Sequence, residues 1–102
     1  MLPLIEQRRP QIEQLCRKYR VKSLELFGSA ASGKFDAAKS DVDFFVELID
    51  YKAPTIVDDW FGLKEDLEAL LGRSVDIVSP SAVRNLYFLE VANRHRVTLY
   101  AA

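Results

Sequence analysis

Two apolar segments, 21–27 and 41–48, are joined by a stretch of small and polar residues that leaves no space for a full crossover helix. Parallel neighbours need such a crossover, so this spacing predicts an antiparallel pair. Leu24-Glu25-Leu26-Phe27 alternates and stops at Gly28, and Asp41 to Leu48 ends in the dense run Phe44-Phe45-Val46.

The flanking segments read as helices and further strands. Leu4, Ile5, Ile12, Leu15, Cys16 and Tyr19 mostly share one helical face, with Pro10 marking either a kink or the helix's proper start. Pro54-Thr55 opens a second helix, with Thr55 as a candidate cap and Asp58 and Asp59 in its first turn. Its apolar residues run from Trp60 and Phe61 to Leu71, and Gly72 closes it. Phe61 fits core spacing, which leaves Trp60 as the better candidate for an interface. Val75-Asp76-Ile77-Val78 forms a third strand, Ser79-Pro80-Ser81 begins a helical stretch to about Arg94, and Val97 to Tyr100 forms a last strand. This order predicts an α/β fold, a small mixed sheet with helices packed on it.

With 102 residues the chain is expected to form a single domain, 1–102. A formal net charge of -1 argues against non-specific nucleic-acid binding, which rests on a basic surface. Cys16 is the only cysteine and reads as a buried helical thiol, and no His/Cys cluster suggests zinc. The opening MLPLIEQRRP is neither a signal peptide nor a membrane span, so no membrane partner and a cytoplasmic location are expected. His95, between Arg94 and Arg96 near a helix end, reads as a capping or surface residue.

Aspartate is depleted from strands, yet Asp41 and Asp43 open one strand and Asp76 interrupts another. Residues at i and i+2 share a strand face, so Asp41 and Asp43 project together as like charges. A hard divalent cation such as Mg²⁺ or Mn²⁺ neutralises such a pair, although an isolated Asp-x-Asp is also an ordinary solvated strand end. Gly28-Ser29, directly after a strand, offers backbone N–H groups and a hydroxyl to an anion. Phosphate cradle and acid platform together are the apparatus of phosphoryl-type transfer.

Gly28-Ser29, Ser40-Asp41-Val42-Asp43-Phe44-Phe45-Val46 and Val75-Asp76-Ile77-Val78 resemble the DNA polymerase β superfamily of nucleotidyltransferases. More narrowly, the pattern is similar to the minimal nucleotidyltransferase (MNT) proteins of prokaryotes. The resemblance implies the DNA polymerase β-like fold, with Asp41, Asp43 and Asp76 as catalytic, metal-binding residues holding two Mg²⁺ ions. It implies that Gly28 and Ser29 hold the phosphates of ATP. The sequence departs from the commonest pattern at Ala30-Ala31-Ser32-Gly33, where Ser32 stands nearest a position that often carries arginine. Lys34 or Lys39 is a candidate replacement, and both also fit as solvated loop lysines.

Related MNT proteins are commonly paired with a HEPN-family RNase toxin, and the resemblance implies an antitoxin that transfers AMP from ATP to a toxin tyrosine. The alternative is a non-catalytic antitoxin that neutralises its partner by complex formation.

Overall fold

A computed structural model describes residues 3–28, 41–82 and 96–102. Helix α1 (Pro3–Lys18) leads into β1 (Val21–Phe27), and β2 (Val42–Leu48) follows. Helix α2 (Ile56–Leu71), β3 (Val75–Val78), a 3₁₀ turn (Pro80–Ala82) and β4 (Val97–Ala101) complete the described elements. The sheet order is β3-β2-β1-β4. β1 pairs antiparallel with both β2 and β4, whereas β2 and β3 run parallel, joined through α2. The mixed sheet with helices packed on it is therefore the observed architecture.

Strand β2 shows how the sequence sets its two faces. Val42, Phe44, Val46 and Leu48 are buried in one cluster with Ile5, Ile12 and Cys16 of α1 and Leu63, Leu67 and Leu71 of α2. Asp43, Phe45 and Glu47 alternate with them and belong to the opposite face. There Phe45 stacks on Phe27 with ring centroids 4.0 Å apart, and Val78 packs against the pair.

The helices meet closely because α2 carries Gly62 where Tyr19 crosses it. A Cβ at Gly62 would stand 2.6 Å from Tyr19 Cε1. The Tyr19 hydroxyl donates to Asp66, which Lys18 also approaches at 3.4 Å. Burial pushes the Cys16 thiol up to about 12, with Glu13 adding to the shift.

Three local expectations are corrected. Helix α1 runs continuously through Pro10, so it does not begin there. Pro10 is exposed, as is Glu6, whose carbonyl is the one left without an i+4 donor. Thr55 occupies the N-cap position of α2 without a side-chain cap bond. Its hydroxyl instead donates to Asp59 Oδ2 at 3.0 Å and accepts from Arg20, which also pairs with Asp59 at 3.4 Å. Trp60 packs partly against the core, whereas Phe61 is 56% exposed. The buried stripe of α2 runs through Trp60, Leu63, Leu67 and Leu71, and Phe61 lies about 100° around the helix from Trp60. Gly72 ends α2 as expected, left-handed at φ 69°, its N–H donating to Glu68 O at 2.8 Å.

Candidate active site

Because β1 runs antiparallel to β2, and β3 parallel to it, the end of β1 and the starts of β2 and β3 share one edge of the sheet. Asp43 lies at the centre of that edge. Its register partner on β1 is Phe27, and its partner on β3 is Asp76. Asp41 precedes β2 by one residue, and the Val42 N–H donates to Ser74 O at 3.1 Å, tying the two strand starts together. Pairing thus brings together acids that lie 33 positions apart in the chain.

The three carboxyl groups differ in environment. Asp41 and Asp76 are exposed, while Asp43 is half-buried. Burial pushes the Asp43 carboxyl up to about 6, and the neighbouring charges of Asp76 and Asp41 push it the same way. Directly after β1, Gly28 adopts a left-handed φ of 73°, and its backbone lies against the Asp43 carboxylate. The turn has the conformation that glycine tolerates best and the one neighbour for which a side chain would be in the way.

Electrostatics and donor chemistry fit a hard divalent cation. A half-buried carboxylate between two others is destabilised by mutual repulsion, and a cation relieves it. Asp41, Asp43 and Asp76 would be the residues to hold such an ion. Among the described residues no three His, Cys, Asp or Glu side chains converge into a closed metal-binding group. The acids therefore share an edge and an electrostatic field rather than a finished coordination shell. Ser29, Lys34, Lys39 and His95 lie outside the described residues.

The sequence reading missed an ion pair on the same face of the sheet. Arg96, immediately before β4, grips Glu25 with both arms of its guanidinium, at 2.8 Å from Nε and 2.6 Å from Nη2. Its Cζ lies 4.7 Å above the Phe45 ring. In the sequence Arg96 enters only as a neighbour of His95, whereas in the structure its charge is directed at Glu25. The available signal was Glu25 itself, an acid facing away from the core between buried Leu24 and Leu26.

At the other end of β2, Glu47 organises a second polar group. It accepts from the Ser81 N–H at 2.8 Å, from the hydroxyls of Ser79 and Ser81 at 3.1 and 3.2 Å, and from the Tyr51 hydroxyl. Burial pushes its carboxyl up, but these hydrogen bonds outweigh burial and hold it below the usual glutamate range. Glu47 thereby fastens the turn after β3 to β2.

With the fold and the acids in place, comparison with known proteins is informative. The nucleotidyltransferase domain family matches residues 9–99, and the chain belongs to that family. It is 39% identical over 70 residues to MJ1379 of Methanocaldococcus jannaschii, whose name gives protein adenylyltransferase as an inferred activity. That match covers 69% of this chain and 68% of the relative. A solved structure assigned as a minimal nucleotidyltransferase shares the fold at 30% identity and a TM-score of 0.74, covering 94% of this chain and 95% of that one. A tri-AMPylated Shewanella oneidensis HEPN toxin in complex with MNT antitoxin includes a chain of the same fold, at 18% identity and a TM-score of 0.65. That alignment covers 95% of this chain and 72% of the other. The protein is a nucleotidyltransferase of minimal, MNT-like architecture, and no described helix is long and apolar enough to cross a membrane.

Proposed function

We propose that this nucleotidyltransferase moves AMP from ATP onto a hydroxyl of a partner protein, a tyrosine of a HEPN-family toxin, and so acts as an antitoxin. The observation that carries the reading is the placement of Asp43 between Asp76 and the turn at Gly28, with Asp41 beside it. The inferred activity in the name of MJ1379 and the tri-AMPylated toxin bound to an MNT antitoxin support the choice of a protein acceptor.

In the reaction the acceptor hydroxyl oxygen forms a bond to the α-phosphorus of ATP, the bond to the β-phosphate oxygen breaks, and pyrophosphate leaves. Asp41, Asp43 and Asp76 would hold two Mg²⁺ ions, which supply charge neutralisation for the triphosphate and acidify the acceptor hydroxyl. Gly28 and Ser29 would receive the β- and γ-phosphates. Asp76, on its own strand, is the group suited to orient or deprotonate the incoming hydroxyl.

The test is to purify the chain with its neighbour-encoded partner, add Mg-ATP and weigh the partner. A gain of one or more AMP masses, lost in Asp41→Ala and Asp43→Ala, is the expected result. An unmodified partner, or an adduct that survives those substitutions, overturns the reading.

Neutralisation by complex formation alone is the second reading, and the exposed apolar residues Val57 and Phe61 on α2 favour it. A variant lacking all three aspartates that still suppresses toxicity would select it.

A further inference from the structure

The apolar groove on α2 has a chemistry of its own, remote in function from the acid edge. It encloses about 470 Å³ and is walled by Tyr51, Ile56, Val57, Trp60 and Phe61 on one side and the turn after β3 on the other. Val57 is 62% exposed, Phe61 56% and Tyr51 47%. Val57 and Phe61 are four residues apart and form a ridge on the outer face of the helix. Among the described residues neither joins the core cluster, since α2 buries Leu63, Leu67 and Leu71 on another stripe.

Charge decides what kind of surface would fit here. Among the described residues, none that lines the groove is charged. Asp58, beside Val57 and three residues before Phe61, and Glu65, one turn beyond Phe61, are both exposed. Neither forms an ion pair among the described residues. By contrast, the nearby Lys64 is taken up by Glu68 at 3.4 Å, and Arg20 by Asp59. Behind the lining, Glu47 accepts hydrogen bonds from Tyr51, Ser79 and Ser81 and does not itself face the groove. The groove is thus an aromatic trough whose helical rim carries acids that no described cation pairs, while exposed Lys52 stands beside Tyr51 on the other wall; the helical rim is complementary to an apolar ridge flanked by basic residues.

We propose that this groove docks an amphipathic helix of a partner protein, its Leu or Phe side chains seated against Trp60 and Phe61 and its Arg or Lys side chains beside Asp58 and Glu65. Trp60 supplies a rigid anchor because its inner edge is fixed against the core. A helix laid in a groove uses anchors at i and i+4, the same spacing that separates Val57 from Phe61. Docking through this surface is a binding event separate from nucleotidyl transfer, so either can fail while the other stands.

Trp60 is the only tryptophan in the chain, so its fluorescence reports groove occupancy directly. The full chain is titrated with two synthetic helical peptides that carry the same Leu pair at i and i+4, one flanked by Arg and the other by Glu. The Arg-flanked peptide is expected to give a saturable change in Trp60 emission, binding roughly tenfold tighter than the Glu-flanked one at low salt and losing that advantage at high salt. Phe61→Asp, an exposed substitution checked for folding by circular dichroism, is expected to weaken binding about tenfold or more. Asp58→Lys combined with Glu65→Lys is expected to reverse the peptide preference. No saturable Trp60 response, or equal binding of both peptides, overturns the proposal. So does concentration-dependent self-association that shields Trp60 without peptide, which would assign the groove to a second copy of the chain.

Discussion

A Cβ placed on Gly28 would lie 2.5 Å from Asp43 Oδ2 and 3.4 Å from its Cγ, so the carboxylate rests directly against the bare backbone of the turn. Position 28 also holds φ at 73°, where an L side chain costs about 1–2 kcal/mol. Gly28→Ala therefore acts twice, through backbone strain and by displacing the carboxylate at the centre of the edge. The expected outcome is a loss of about 1–3 kcal/mol in denaturant melts, with transfer reduced at least tenfold at temperatures where the variant is fully folded. Folded variant with undiminished transfer would separate Gly28 from the site.

Asp43 makes stability fall as pH rises. Its folded value of about 6 exceeds the ordinary aspartate value of 3.8, so the folded chain holds a proton that the unfolded chain releases between those limits. The favourable protonated form is complete below about 4 and lost as pH passes about 6. Without divalent cations, the difference in Tm between Asp43→Asn and the parent chain should be near zero at pH 4 and favour the variant at pH 7. The same variant should lose nucleotidyl transfer. Added Mg²⁺ should raise the Tm of the parent more at pH 7 than at pH 5, since it competes with the proton.

Glu47 provides the opposite pH dependence. Its hydrogen bonds favour the carboxylate, so its contribution is present above the ordinary glutamate range and lost as pH falls through its depressed folded value. Glu47→Ala removes the acceptor for Tyr51, Ser79 and Ser81 together and is expected to cost about 1–3 kcal/mol. Hydrogen exchange should show the loss locally, as faster exchange at the Ser81 amide, which donates to Glu47 Oε1.

Cys16 should be chemically silent while the chain is folded. It is fully buried, and with its thiol pushed up to about 12 only about one molecule in ten thousand carries a thiolate at pH 8. Iodoacetamide at that pH is expected to leave the native mass unchanged and to add one carbamidomethyl group in denaturant. Rapid labelling of the native chain would mean that α1 opens away from the sheet.

What was legible in the sequence were departures from local preference. Asp41, Asp43 and Asp76 stood out because acids disfavour strands, and their common edge follows from strand order and from the parallel pairing of β2 with β3. The register that sets Asp43 opposite Asp76 is tertiary, and so is the pressure of Gly28 on Asp43. Glu25 and Arg96 are 71 residues apart, beyond the reach of any local pattern. Trp60 and Phe61 were exchanged because adjacent aromatics on a helix differ by one step of rotation, and only the packing of α2 on the core cluster reveals which step faces inward. Thr55 has cap chemistry, but Arg20 and Asp59 compete for its hydroxyl.

The pairing of β2 with β3 also orders events in time. Loop-closure entropy predicts that β1 and β2, joined by the shorter span, pair first and bring Gly28 to Asp43, and that Asp76 follows when α2 has folded back and the longer loop has closed. A chain caught partway along this route would carry two of the three acids and no complete edge. On the proposed roles of the three acids, competence to handle a triphosphate would be gained last, and a chain damaged between β2 and β3 would be expected to be catalytically silent.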